Sequence, residues 1–328
     1  MTSRRIFGKA ILGLAASLPL VFGAQAQSPT NVSLRLNWYL GGLHVPFYYG
    51  VEKGFYKDEG INLTINEGRG SANTVQVVGA GTDTFGLADS SSIINLISKG
   101  GEIKSVMNIL SSTGFSVVSA ASAGIRTPKD VEGKTLAVSP GDPIRGLLEA
   151  LAAHNGVDIS KVNFVQVDPA AKVVTVLEKR ADGLLGGADD QFFLLKYRGV
   201  EPHALRFADH GANIVGMAIF TGNNTIKSNP DLVRRFVKAT KRSWEEARKN
   251  PDAAVDVAMK VKPDLNRQST KDQMLVDFEL MDSPNVKGQI GFGHEKDWAQ
   301  TIELLKKYRG LETNQPWTAF HTNEFLPK

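Results

Sequence analysis

The stretch that most constrains the fold runs over residues 32–65. Val32, Leu34 and Leu36 alternate with Ser33, Arg35 and Asn37, the period-two pattern of a strand. Gly41-Gly42 breaks that run, and Phe47, Tyr48, Val51 and Phe55 then follow at helical spacing. Gly54 sits where a helix C-terminus needs a residue that tolerates positive φ. Ile61-Asn62-Leu63-Thr64-Ile65 is a second strand, introduced by Glu59-Gly60. Two strands joined by a helix form a βαβ unit, whose ligand sites lie off the carboxyl ends of its strands. Those ends carry Asn37-Trp38-Tyr39 and Glu67-Gly68-Arg69-Gly70-Ser71. An aromatic residue beside a glycine-rich turn is the layout of a small-molecule pocket, and Asn37, Trp38, Arg69 and Ser71 are its first candidate ligand contacts.

Leu36-Asn37-Trp38, His44-Val45-Pro46, Glu52-Lys53-Gly54-Phe55-Tyr56 and Glu59-Gly60 together resemble the opening of periplasmic solute-binding proteins of ABC importers. Within them the chain is most similar to the branch containing thiamine-pyrimidine, riboflavin, nitrate, sulfonate and taurine binders. Asn-Trp followed by His-x-Pro points more narrowly to the thiamine-pyrimidine group. The resemblance extends more loosely over nearly all of the chain beyond its leader. It implies an α/β, two-lobe periplasmic-binding-protein fold of type II, each lobe a mostly parallel sheet flanked by helices, with two hinge crossings. It also implies a small-molecule ligand and a permease partner in the inner membrane.

The leader, MTSRRIFGKAILGLAASLPLVFGAQAQ, has a basic start and an apolar run that is short for a membrane span. Ala24-Gln25-Ala26 is a small-x-small cleavage pattern, so cleavage is expected after Ala26. Ser3, Arg4, Arg5, Phe7 and Lys9 match the twin-arginine export motif, with an ordinary secretory leader as the alternative. Both routes place the protein in the periplasm, unanchored, since there is no lipobox cysteine. The 38 Lys and Arg exceed the 34 Asp and Glu, but Arg4, Arg5 and Lys9 lie in this acid-free leader. The remainder is near neutral, which gives no electrostatic reason to expect nucleic acid.

At 328 residues and 42% hydrophobic the chain can bury a large core, and its length suggests two domains. Strand and helix patterns alternate up to residue 110. Residues 114–120, which include Phe115, lead into a break at Gly124 and Thr127-Pro128. A second α/β unit follows, with strands at 134–138, 162–167 and 183–187. The apolar stretch 213–221 returns the chain to the first unit. The remainder is helical, starting at the Asn229-Pro230 cap. The expected division is a leader over 1–26, a first lobe over 27–118 and 217–328, and a second over 119–216. A monomer is expected.

Enzyme motifs fail. Gly133-Lys134-Thr135 has Pro128 where a phosphate loop needs its upstream glycine, and Gly68-x-Gly70 ends in Asn73 rather than a third glycine. There is no Gly-x-Ser-x-Gly elbow. The six His residues include no His-x-x-x-His pair, and there is no cysteine, so neither a metal nor a cofactor is expected. The resembled family also contains a thiamine-pyrimidine synthase, but its pattern requires a cysteine-rich iron-binding motif.

Several further residues fit a pocket, each with a bland alternative. Trp38 offers a flat wall for a heteroaromatic ring, or is core. His44 either bonds a ligand or pairs with the backbone, and Arg69 either clamps an anion or is solvated. Asp189-Asp190-Gln191 follows an apolar strand, and a carboxylate there suits the edge of an aminopyrimidine; otherwise the acids decorate a helix N-terminus. Ser139 and Asp142 precede another helix, as ligand-holding residues or as caps. Asp89, Ser90 and Ser91 read as capping, although the resemblance implies that they face the ligand. The ligand implied is an aromatic nitrogen heterocycle of the thiamine-pyrimidine or flavin type, with a sulfonate, nitrate or aromatic carboxylate as the alternative.

Overall fold

The computed structural model describes residues 1–2 and 28–328. The leader readings fall on residues 3–27, outside the described residues. In chain order the strands are β1 (Thr30–Arg35), β2 (Ile61–Asn66), β3 (Phe85–Asp89), β4 (Ile103–Asn108), β5 (Phe115–Ala120), β6 (Thr135–Val138), β7 (Asn163–Gln166), β8 (Gly183–Gly187), β9 (Pro202–Arg206) and β10 (Met217–Gly222). They form two five-stranded sheets, ordered β2-β1-β3-β10-β4 and β7-β6-β8-β5-β9. The first strands of each sheet pair in parallel, and each sheet carries one antiparallel strand, β10 in the first and β5 in the second. This is the expected α/β two-lobe architecture.

Parallel strands are covered by helices on both faces, so they read as continuous apolar runs. Every residue of β3 and of β8 is buried. The longest helix among the described residues, Pro230–Lys249, starts where Asn229 accepts the Leu232 N–H at 3.1 Å. It buries Phe236 against the first sheet, stacked on Phe85 with centroids 3.8 Å apart, and Trp244 against the helix Val45–Glu52, where it meets Phe47 edge-on at 5.8 Å.

The first crossing lies earlier than the sequence suggests. Phe115–Ser119 pair with Gly187–Gly183, so β5 belongs wholly to the second sheet and a boundary at 118 would cut through it. Residues 109–114 form the crossing, because the apolar run after them fills the slot between β8 and β9. β9, unanticipated from sequence, is the edge strand beyond it and begins with Pro202, as an edge permits. The two crossings run side by side. The Gly216 N–H donates to Leu110 O at 2.9 Å, and the Ile109 and Leu110 N–H groups donate to Met217 O. A Cβ on Gly216 would sit 2.6 Å from Ser112 O, so glycine permits this approach.

Residues 217–328 do not all stay with the first lobe. The helix Glu295–Arg309 also reaches the second lobe, where Arg309 Nη1 donates to Pro143 O at 2.8 Å. The helix Arg267–Leu280 lies across the loop Gly42–His44, and a Cβ on Gly42 would meet Gln273 Cβ at 2.3 Å.

Candidate functional site

A cavity of about 660 Å³ opens between the two sheets, a volume typical of small-molecule sites. The ends of β1 and β2 supply one wall, the loops after β6, β7 and β8 the other, and the segment before and within Arg267–Leu280 the roof.

On the first-lobe wall, Trp38 is half-buried and lines the cavity, edge-on to Tyr39 with centroids 5.6 Å apart. Its loop is held from below, since Gly68 and Gly70 donate N–H groups to Trp38 O and Asn37 O at 3.1 and 2.8 Å. Gly68 is required here because a Cβ would lie 1.9 Å from Leu36 O, and Gly70 has φ +109°. Arg69, exposed between them, stands at the cavity margin and makes no ion pair among the described residues. Ser71 lines the cavity while its Oγ accepts the Asp89 N–H at 3.1 Å.

His44 is buried, and protein groups occupy both of its ring nitrogens. Nδ1 accepts the Gly41 N–H at 3.1 Å, and Nε2 lies 2.9 Å from Asn37 Oδ1. Burial, aided by the Lys262 charge, lowers its pKa to about 3. His44 therefore lines the cavity as a neutral support rather than as a free ligand donor.

The second-lobe wall is acidic. Asp142 Oδ1 caps the helix Pro143–His154 by accepting the Ile144 N–H at 3.0 Å. Its other oxygen forms an ion pair with Lys172, whose Nζ also donates to Leu185 O at 2.8 Å. Ser139 Oγ is buried there without a protein partner. In the loop after β8, Gln191 Oε1 accepts the Gly187 N–H at 2.7 Å and its Nε2 donates to Asp190. Burial and the Asp189 charge, opposed by Lys172, push the Asp190 carboxyl up to about 7. Burial also raises Asp189. Behind them the fully buried Asp277 is pushed well above the carboxylate range by burial and by the Asp189 charge. Gly114 and Gly187 leave room for the Asp189 carboxylate, which a Cβ on either would meet at 2.1 or 2.3 Å. Phe115, next to Gly114, contributes apolar surface to the cavity.

Asp89, Ser90 and Ser91 lie outside the cavity lining. The Asp89 carboxylate accepts from the Ser92 N–H at 2.9 Å, from Ser92 Oγ at 2.7 Å and from Ser91 Oγ. Ser90 Oγ donates to Val215 O at the second crossing. These groups are consumed in capping the helix Ser90–Ser98 and in fastening the hinge.

Sequence reasoning missed Lys172, Lys262 and Gln273. Lys172 follows β7 at the head of the helix Lys172–Leu177 and shares its buried face with Val173 and Val176; a lysine inside an apolar run was the available clue. Lys262 pairs with Glu67 at 3.1 Å, and Gln273 Oε1 accepts the Gly42 N–H at 2.7 Å. Lys262 follows the helix Pro251–Val261 and Gln273 lies on Arg267–Leu280, C-terminal elements whose position no local pattern reveals. Among the described residues, no group of three or more His, Asp or Glu is arranged to hold a metal ion.

Among curated proteins, the chain is similar to the riboflavin-binding protein RibY of Chloroflexus aurantiacus, at 25% identity, covering 95% of this chain and 91% of the relative. It is similar to the formylaminopyrimidine-binding protein of Halalkalibacterium halodurans, at 23% identity over 90% of this chain and 93% of the relative. The 4-amino-5-hydroxymethyl-2-methylpyrimidine phosphate synthase of Legionella pneumophila matches at 24% identity, covering 93% of this chain and 95% of that protein. In three dimensions the chain resembles the periplasmic aliphatic sulphonate binding protein of Escherichia coli, with a TM-score of 0.70 at 12% identity over 90% of this chain and 92% of that one. That likeness concerns the fold. The family model described as NMT1/THI5 like matches residues 42–254, more than half of the sequence, and the chain belongs to this family.

Proposed function

We propose that the protein is the substrate-binding component of an ABC importer, exported by its leader, and that it captures a planar nitrogen heterocycle of the aminopyrimidine or flavin type. The observation that carries this reading is the composition of the two walls. One offers the Trp38 face and the Asn37 amide. The other offers Asp189 and Asp190, while the cation whose charge acts on Asp190, Lys172, is already paired with Asp142. An oxoanion such as sulfonate or nitrate would face these buried carboxyls, and the lining cation of that wall that makes no ion pair among the described residues, Arg198, is exposed. A heterocycle with amino or ring N–H groups finds acceptors there. The names of the riboflavin-binding and formylaminopyrimidine-binding relatives fit the same class.

Closure of the lobes about the paired crossings at 109–114 and 211–216 would bring these walls together, driven by tighter binding to the closed form. Turnover finds no support in the residues: the resembled synthase pattern needs cysteines, and this chain has none. Mass spectrometry of ligand released from gently purified protein tests the reading. A heterocyclic ligand is expected; release of a sulfonate or aromatic carboxylate would overturn it.

A further inference from the structure

The His44–Asn37 contact fixes more than a packing position. The Gly41 N–H occupies His44 Nδ1 at 3.1 Å, and a backbone amide only donates, so Nδ1 must carry its lone pair. A neutral imidazole then holds its proton on Nε2. Nε2–H points at Asn37, 2.9 Å away, and only the carbonyl oxygen of that side chain can accept it. The Asn37 amide is therefore fixed with Oδ1 toward His44 whichever way its two ends are first assigned. Its Nδ2 makes no hydrogen bond to protein among the described residues and is not sealed from solvent. The side chain is 9% exposed and lines the cavity, so the free N–H groups have the cavity as their outlet.

We propose that His44 is a positioning residue that locks the Asn37 amide as a hydrogen-bond donor at the cavity wall. A ligand seated against Trp38 must then present an acceptor, a ring nitrogen or ring carbonyl, to Asn37 Nδ2. The second-lobe wall is complementary, since Gln191 Nε2 is spent on Asp190 and each carboxyl, protonated or not, keeps an acceptor oxygen. A ligand with an acceptor on one edge and N–H donors on the opposite edge satisfies both walls; an analogue with the edges exchanged leaves a buried amide unpaired. Two further features maintain the lock. Lys262, the charged group whose field reaches His44, opposes protonation of the ring. Gln273, by accepting the Gly42 N–H at 2.7 Å, holds the loop that carries Gly41. The choice of ligand edge rests on the heterocycle reading above, whereas the state of His44 does not.

Long-range ¹H–¹⁵N correlation spectra of the unliganded full chain read the tautomer directly. The expected result is an Nε2-protonated ring that does not titrate between about pH 5 and 8. An Nδ1-protonated ring, or a midpoint inside that range, overturns the proposal. Binding of riboflavin and of 4-amino-2-methylpyrimidine by His44→Gln and His44→Phe supplies the second arm. The glutamine amide keeps a donor near the Nε2 position, and phenylalanine has none. His44→Phe is expected to lose roughly tenfold in affinity and His44→Gln clearly less, with thermal melts identifying the folded variants. Equal losses in two folded variants would contradict the positioning role. If the parent binds neither probe, the heterocycle reading fails, and the tautomer measurement still decides the role of His44.

Discussion

Tyr197 and Asp272 meet across the cleft, with Tyr197 Oη donating to Asp272 Oδ2 at 2.7 Å. Tyr197 follows the second-lobe helix Gln191–Lys196, whereas Asp272 lies on Arg267–Leu280, which packs over the Gly42–His44 loop of the first lobe. Lys196 adds a longer contact to the same carboxylate at 3.5 Å. With Arg309 bound to Pro143 O, these contacts tie the lobes together in the conformation described here.

If that contact clasps the closed form, Tyr197→Phe should leave the walls intact and release ligand faster. One hydrogen bond to a carboxylate, partly exposed, corresponds to a rise of about fivefold in dissociation rate. Stopped-flow release measures it, and an unchanged rate would rule the clasp out.

The Asp142–Lys172 pair is desolvated on both sides, with side chains 7% and 5% exposed. Lys172→Met should therefore leave a buried carboxylate uncompensated and destabilise the fold by about 3 kcal/mol. Adding Asp142→Asn should restore part of that loss. Urea unfolding of both variants and the parent reads the coupling; a cost below about 1 kcal/mol for Lys172→Met would mean that water reaches the pair.

Asp190 titrates at about 7 in the folded chain, above the ordinary carboxylate value near 4. The native state then holds a proton that the unfolded chain has released, so this term is fully stabilising below about pH 4 and is lost as pH rises through 7. Thermal unfolding from pH 5 to 8 should show the parent losing on the order of 1–2 kcal/mol relative to Asp190→Asn. Parallel pH profiles would place the Asp190 carboxyl in an ordinary solvated environment.

Export can be tested separately. Arg4→Lys with Arg5→Lys keeps the leader charge but removes the twin-arginine pair, and the double variant should accumulate as uncleaved cytoplasmic precursor. Periplasmic appearance at the parental rate would assign the leader to general secretion.

Local patterns revealed the elements better than their neighbours. The alternation of Val32, Leu34 and Leu36, the Gly54 stop and the Asn229-Pro230 start each rest on interactions a few residues long. Phe115–Ala120 read correctly as apolar, but its membership of the second sheet depends on β8 and β9, which lie far along the chain. The same limit separates the site residues. Asn37, Trp38 and Asp190 sit at strand ends, where a βαβ pattern directs attention. Lys262 and Gln273 reach the cavity only because the C-terminal helices fold back over it. Asp89 misled because a capping carboxylate and a ligand-binding carboxylate look alike in sequence; three local hydrogen bonds distinguish them.

The most direct test of the central claim is a calorimetric titration of the parent and of Trp38→Ala and Trp38→Phe with riboflavin, an aminopyrimidine, taurine and nitrate. The parent should bind a heterocycle and neither oxoanion. Trp38→Ala should lose about 2 kcal/mol, roughly thirtyfold in affinity, and Trp38→Phe should recover much of it because a flat face remains. Saturable binding of taurine or nitrate, with no heterocycle bound and Trp38→Ala indistinguishable from the parent, would contradict the account.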